Sequence, residues 1–228
     1  MFDTYKELFE AIIIDDLARV RSFVRQDARL AQATTPKAWL ERRIDHWIYV
    51  GDSALHLAAA GHRSEIARCL LEAGADPNAA DNHRCGRPLH YAADGYIVSA
   101  NWNPKHQVAT LKLLAAAGAE IDVPDKNGAT ALHRAVRTRC AAAVRALVDA
   151  GADPSVRNKP GSTPFHLAVQ NTGRGGSGAE IAKLAQREII QIFLGHGVSP
   201  RTRDANGKSV LDWARSPSIR ELLAGRTA

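Results

Sequence analysis

Four histidines recur along the chain at spacings of 34, 43 and 33 residues: His56, His90, His133 and His166. Imidazole is a common zinc ligand and general base, so repeated histidines invite a metal or acid–base reading. Zinc, however, needs donors within about 2.3 Å of one point. These four stand one per repeated segment, which favours a structural role. His83, Cys85 and His90 form a closer trio, but no second cysteine pair supports it. No serine sits in a GxSxG elbow. The adjacent carboxylates Asp15 and Asp16 fall at a helix–helix turn where solvent exposure is expected. No nucleophile is placed with its base, and neither catalysis, a metal nor a cofactor is expected.

Gly173-Arg174-Gly175-Gly176-Ser177-Gly178 matches GxGxxG by letter. That motif signifies dinucleotide binding only after a strand in a βαβ unit. Here it follows a helix, so the Rossmann reading is rejected. Two readings remain open: a flexible Gly/Ser linker, which is favoured, or an anion-binding approach to the helix that starts near Ala179.

The elements that position these residues follow from the repeats. An apolar residue precedes each histidine in Leu55-His56, Leu89-His90, Leu132-His133 and Phe165-His166; a fifth copy, Leu211-Asp212-Trp213-Ala214, lacks the histidine. A second marker closes the first three units: Gly74-Ala75-Asp76-Pro77, Gly118-Ala119-Glu120-Ile121 and Gly151-Ala152-Asp153-Pro154. The fourth unit has Gly197-Val198-Ser199-Pro200. In Thr163-Pro164-Phe165-His166, Thr caps a helix and Pro occupies its first turn. The second helix of each unit keeps one apolar face: Ile66, Ala67, Leu70, Leu71; Thr110, Leu111, Leu114, Ala115; Ala143, Val144, Leu147, Val148; Ile189, Ile190, Phe193, Leu194. The closing glycines are expected to end these helices in left-handed caps. Asn127-Gly128 and Asn206-Gly207 supply turns at loop tips. Helix pairs of this size cannot hide an apolar face alone and must stack.

Over roughly residues 51–225 the sequence resembles the ankyrin-repeat family, whose signature is a period near 33 with a Thr-Pro-Leu-His type motif. The expected fold is an all-α solenoid of stacked helix-turn-helix units with projecting hairpin loops. It forms one domain over 1–228: a degenerate capping unit at 1–50, repeats at 51–84, 85–126, 127–159 and 160–205, and a closing cap at 206–228. The resemblance implies that each repeated histidine bonds loop backbone. It also implies protein binding through a concave groove, making the partner another protein of unknown identity. The residue after each histidine reads Leu57, Tyr91, Arg134 and Leu167, with Trp213 in the last unit. Three positions on stand Ala60, Asp94, Arg137 and Gln170. The groove is therefore expected to use Tyr91, Asp94, Arg134, Arg137, Gln170 and Trp213, with Asp94 and Arg137 close enough to pair.

Two units are too long, by about ten residues near 95–106 and about thirteen near 172–183. Both insertions join a first helix to a second and should share one edge. That edge offers an alternative, a binding or enzymatic site for an anionic small molecule or phosphate group, built from Trp102, Asn103, His106, Arg137, Arg139, Asn171 and Arg174.

The formal charge of +6 comes from basic residues interleaved with acidic ones. That spread is ordinary for a solvated face and makes nucleic acid an unlikely partner. Three cysteines form no even framework, which fits a reducing compartment. No apolar run approaches a membrane span, and residues 1–10 lack a signal-peptide core. A cytoplasmic location is expected. Abundant alanine, and arginine in excess of lysine, suggest a bacterial source.

Overall fold

The computed structural model describes residues 2–172 and 178–225. Helices α1 (Phe2–Ile13) and α2 (Leu17–Gln26) form the first pair, followed by a 3-10 turn, Ala28–Gln32. The units then run α3 (Ala54–Ala60) with α4 (Ser64–Glu72), α5 (Pro88–Ala93) with α6 (Pro104–Ala116), and α7 (Ala131–Arg137) with α8 (Ala141–Asp149). The last two pairs are α9 (Pro164–Ala168) with α10 (Glu180–Gly195), and α11 (Val210–Trp213) with α12 (Pro217–Ala224). First helices pack in one row, α3 on α5, α5 on α7, α7 on α9 and α9 on α11. Second helices pack in a parallel row, α2, α4, α6, α8 and α10 in succession.

The repeated apolar face explains the stacking. Ile66, Ala67 and Leu70 are buried, as are Thr110, Leu111 and Leu114, Ala143, Val144 and Leu147, and Ile189, Ile190 and Phe193. The fourth position of each set is half-buried. In the first pair Val20 and Val24 are buried, while Arg19, which stands in place of an apolar residue, is exposed. Gly74, Gly118, Gly151 and Gly197 all have positive φ, between 75 and 94°, the left-handed cap that glycine adopts without Cβ strain.

Residues 35–50 carry more than a cap. Strands β1 (Trp39–Glu41) and β2 (His46–Ile48) pair antiparallel with Trp39 opposite Ile48, Leu40 opposite Trp47 and Glu41 opposite His46. Directly opposite residues share a face. Leu40 and Trp47 therefore point outward and are exposed, while Glu41 and Ile48 are buried on the other side. Ile44, in the connecting turn, is buried beside Gly61 at the end of α3. Strands of three residues are too short to show period-2 alternation, so the sequence pattern concealed this hairpin.

Candidate functional site

The repeated histidines are structural clamps. His56 Nδ1 accepts the Ser53 amide at 3.0 Å, and its Nε2 is 2.8 Å from the Gly86 carbonyl of the next loop. His90 does the same with Arg87 and Ala129, His133 with Thr130 and Ser162, and His166 with Thr163 and Lys208. Each ring joins its own helix start to the following unit and holds the neutral form. Burial pushes His56 down to about 3 and His90 to about 4. In the fifth copy the Asp212 carboxylate accepts the Ser209 amide and hydroxyl, both at 2.7 Å, and so replaces the Nδ1 half of the clamp. His83 turns its ring against the edge of Tyr49.

The row after the histidines does not line an open groove as expected. Tyr91 is 1% exposed and Arg134 5%. The Tyr91 hydroxyl donates to Asp52 at 2.8 Å. Its ring stacks on His46 of β2 at 4.6 Å between centroids. Arg134 donates to Asp94 at 2.9 Å and to Asp125 at 2.8 Å. Trp213 is half-buried and donates from Nε1 to Asp204 at 3.0 Å. Asp125 and Asp204 also accept amides of their own loop tips. These side chains tie first helices to acids of neighbouring loops, and the hairpin roofs the first-helix row over Tyr91.

Asp94 is the hub of that roof. His46 Nε2 lies 3.2 Å from its carboxylate, and Arg137 reaches to 3.7 Å, so the expected Asp94–Arg137 pair is present. Burial opposes ionisation of Asp94, but the His46 hydrogen bond and the Arg134 charge override it, holding the carboxyl well below the ordinary range. Its main-chain carbonyl accepts from His62 and Gln107.

The described residues of the two long loops border separate cavities. Trp102 and Arg137 border a cleft of about 330 Å³, which also takes in Asp45, His46, Arg63 and Tyr96. Asn171 borders two other cavities, one with Thr172 and Lys183 and one with Gln170 and Trp213. Arg139 donates to the carbonyls of Ala168 and Gln170, at 3.0 and 2.9 Å, and caps the end of α9. Asn103 caps α6 through the Lys105 amide, and His106 is exposed. Arg174 lies outside the described residues.

Hairpin and first insertion meet directly. The Ser99 hydroxyl donates to Asp45. Gly95 fits so closely that a Cβ there would lie 2.6 Å from Cys140 Sγ and 2.7 Å from Trp102 Nε1. Trp102 Nε1 donates to Gln107 Oε1 at 3.0 Å, while Gln107 Nε2 donates to the carbonyls of Ala92 and Ala93. Gln186 repeats that capping role on Ala168 and Gln170. Both glutamines stand three residues before the apolar set of a lengthened unit, where the other two units carry Arg63 and Cys140. Comparison of the repeats holds that signal; the meeting of residues 39–48 with 95–102 leaves none.

Helix pairs stacked through repeated apolar faces, with loops clamped by histidine to the next unit, define a helical-repeat solenoid. A family model described as ankyrin repeats (3 copies) matches residues 97–184, and one described as ankyrin repeat matches residues 50–82. The chain belongs to the ankyrin-repeat family. A solved ankyrin repeat domain from Acinetobacter baumannii AYE is similar in fold, with a TM-score of 0.70 and 23% identity, covering 96% of this chain and 94% of that one. Among the described residues no helix is long and apolar enough to cross a membrane.

Proposed function

We propose that the chain is a protein-binding module whose docking surface is built by the hairpin and the first insertion. Ankyrin repeats are generally protein–protein interaction modules, which supports the class. One observation carries the location. Of the eight exposed large apolar side chains among the described residues, five lie on or beside these two segments: Leu40, Trp47, Val50, Tyr96 and Val98. Trp47 and Tyr96, 52% and 59% exposed, border the same cleft. Clustered apolar side chains rimmed by polar ones mark contact surfaces, and Trp, Tyr and Arg are the residues most often dominant there. The surface keeps Arg137 from the expected groove and Trp102 from the insertion. It leaves out Tyr91 and Arg134, which are buried.

Selection of binders from a phage-displayed library of random peptides tests the reading. Selected peptides should bind a Trp47→Ala/Tyr96→Ala variant at least tenfold more weakly than wild type, an effect of the size hot-spot truncation produces. A Leu184→Ala variant, altered at an exposed position of α10, should match wild type. Unchanged affinity for the double variant rejects the location.

A further inference from the structure

We infer that the cleft between hairpin and insertion receives an aspartate or glutamate side chain of the docked protein segment, held chiefly by Arg137. The inference rests on the docking surface proposed above and names the chemistry of its centre.

Five arginines border the cleft, Arg43, Arg63, Arg84, Arg134 and Arg137, against two acids, Asp45 and Asp94. Three of the five are already neutralised. Arg43 contacts Glu10 and Glu41 at 2.6 and 2.8 Å, Arg63 contacts Asp15 at 3.4 Å, and Arg134 holds Asp94 and Asp125. Arg137 differs. Its contact with Asp94 is 3.7 Å, beyond the 2.7–3.2 Å of an N–H···O hydrogen bond. Its side chain is 61% exposed, so its donors face water. Among the described residues the Arg84 side chain is engaged only with Tyr49: its guanidinium lies 5.1 Å from the ring centroid and its Nη1 donates to the hydroxyl at 3.4 Å, which leaves its other N–H groups open. Two guanidiniums thus bring unused N–H groups to one cleft.

Asp94 leaves these donors free: its hydrogen bonds come from Arg134 at 2.9 Å and His46 at 3.2 Å, and Arg137 at 3.7 Å makes none to it. A cleft of about 330 Å³ is at the small end of ligand pockets, a size for a single side chain rather than a helix. Around it, Trp47 and Tyr96 offer apolar contact to residues flanking the acid. Guanidinium and carboxylate match in geometry and form the stronger, charge-assisted class of hydrogen bond. The whole-chain charge of +6 attracts an acidic segment at long range.

The test uses the peptides selected above, labelled with fluorescein, in fluorescence polarisation. Each Asp or Glu is replaced in turn by Asn or Gln, and every peptide is titrated against wild type, Arg137→Gln and Arg84→Gln. Expected are an acidic residue in each tight binder and one position whose amide form binds wild type at least tenfold more weakly. That same replacement should have less than a twofold effect in Arg137→Gln, the signature of a direct pair in a double-mutant cycle. Tight binders without acids, or amide forms within twofold of the parent, overturn the inference. If those binders still lose affinity to Trp47→Ala/Tyr96→Ala, the docking surface stands and only the acidic centre fails. Tighter binding of a twelve-nucleotide single-stranded DNA than of any peptide, weakened by Arg137→Gln, also overturns it.

Discussion

At the scale of single residues, the pH response follows from groups whose folded and unfolded states titrate apart. Burial holds His56 near 3, and His62 and His90 near 4, whereas an unfolded imidazole titrates near about 6.5. Near pH 5 unfolding therefore takes up protons at all three. Their contribution to stability is full above about pH 6.5, falls by about 1.4 kcal/mol per pH unit for each as pH drops, and levels off below their folded values. Urea denaturation from pH 7.5 to 4 checks it; a flat midpoint over that window contradicts the buried neutral clamps. Asp94 acts over a lower window. Its folded value lies below the unfolded one of about 3.9, so its support is present above about pH 4 and fades as pH falls further. Asp94→Asn leaves Arg134 with only Asp125 in a largely buried site. It should cost about 3 kcal/mol, within the range for breaking a buried ion pair, measured as a lowered urea midpoint at pH 7. That the histidines are structural was legible from their one-per-unit spacing, and their bond to loop backbone from the family resemblance. The burial of Tyr91 and Arg134 was not, because the groups that occupy them, His46, Asp52 and Asp125, are set by loop geometry rather than helix periodicity.

At the scale of elements, the helices were legible because stacking demands the same apolar face in every unit, and because a capping residue and a closing glycine mark their ends. The strands were not, since three-residue runs carry no period of their own. The hairpin is held by side chains outside it: Arg43 on Glu10 of α1, Ile44 against Gly61, and His46 on Asp94 and Tyr91. His46→Ala should therefore loosen the hairpin while sparing the helices. The expected result is unchanged far-ultraviolet circular dichroism with a stability loss of about 1–2 kcal/mol, the sum of one hydrogen bond and one ring stack. Loss of helical signal would mean that the hairpin helps to hold the stack itself. Gly95→Ala tests the insertion. A methyl group there meets Cys140 and Trp102 inside van der Waals range, and such overpacking costs about 1–3 kcal/mol. A variant as stable as wild type would show that the insertion does not pack against the α7–α8 turn.

At the scale of the molecule, a stack of units couples mainly neighbours, and two departures from regular repetition add contacts of longer span. Glu10 and Arg43, and Asp45 and Ser99, bind the first helix pair to the hairpin and the hairpin to the insertion. Their partners lie 33 and 54 residues apart. Five of the eight exposed large apolar residues among the described residues lie on the same segments, so the proposed docking surface falls where the chain departs from the repeat. Backbone hydrogen exchange with and without a saturating selected peptide tests that placement most directly. The account predicts added protection within 39–50 and 94–103 and none within 164–171 and 204–216; protection confined to the latter two segments would contradict it.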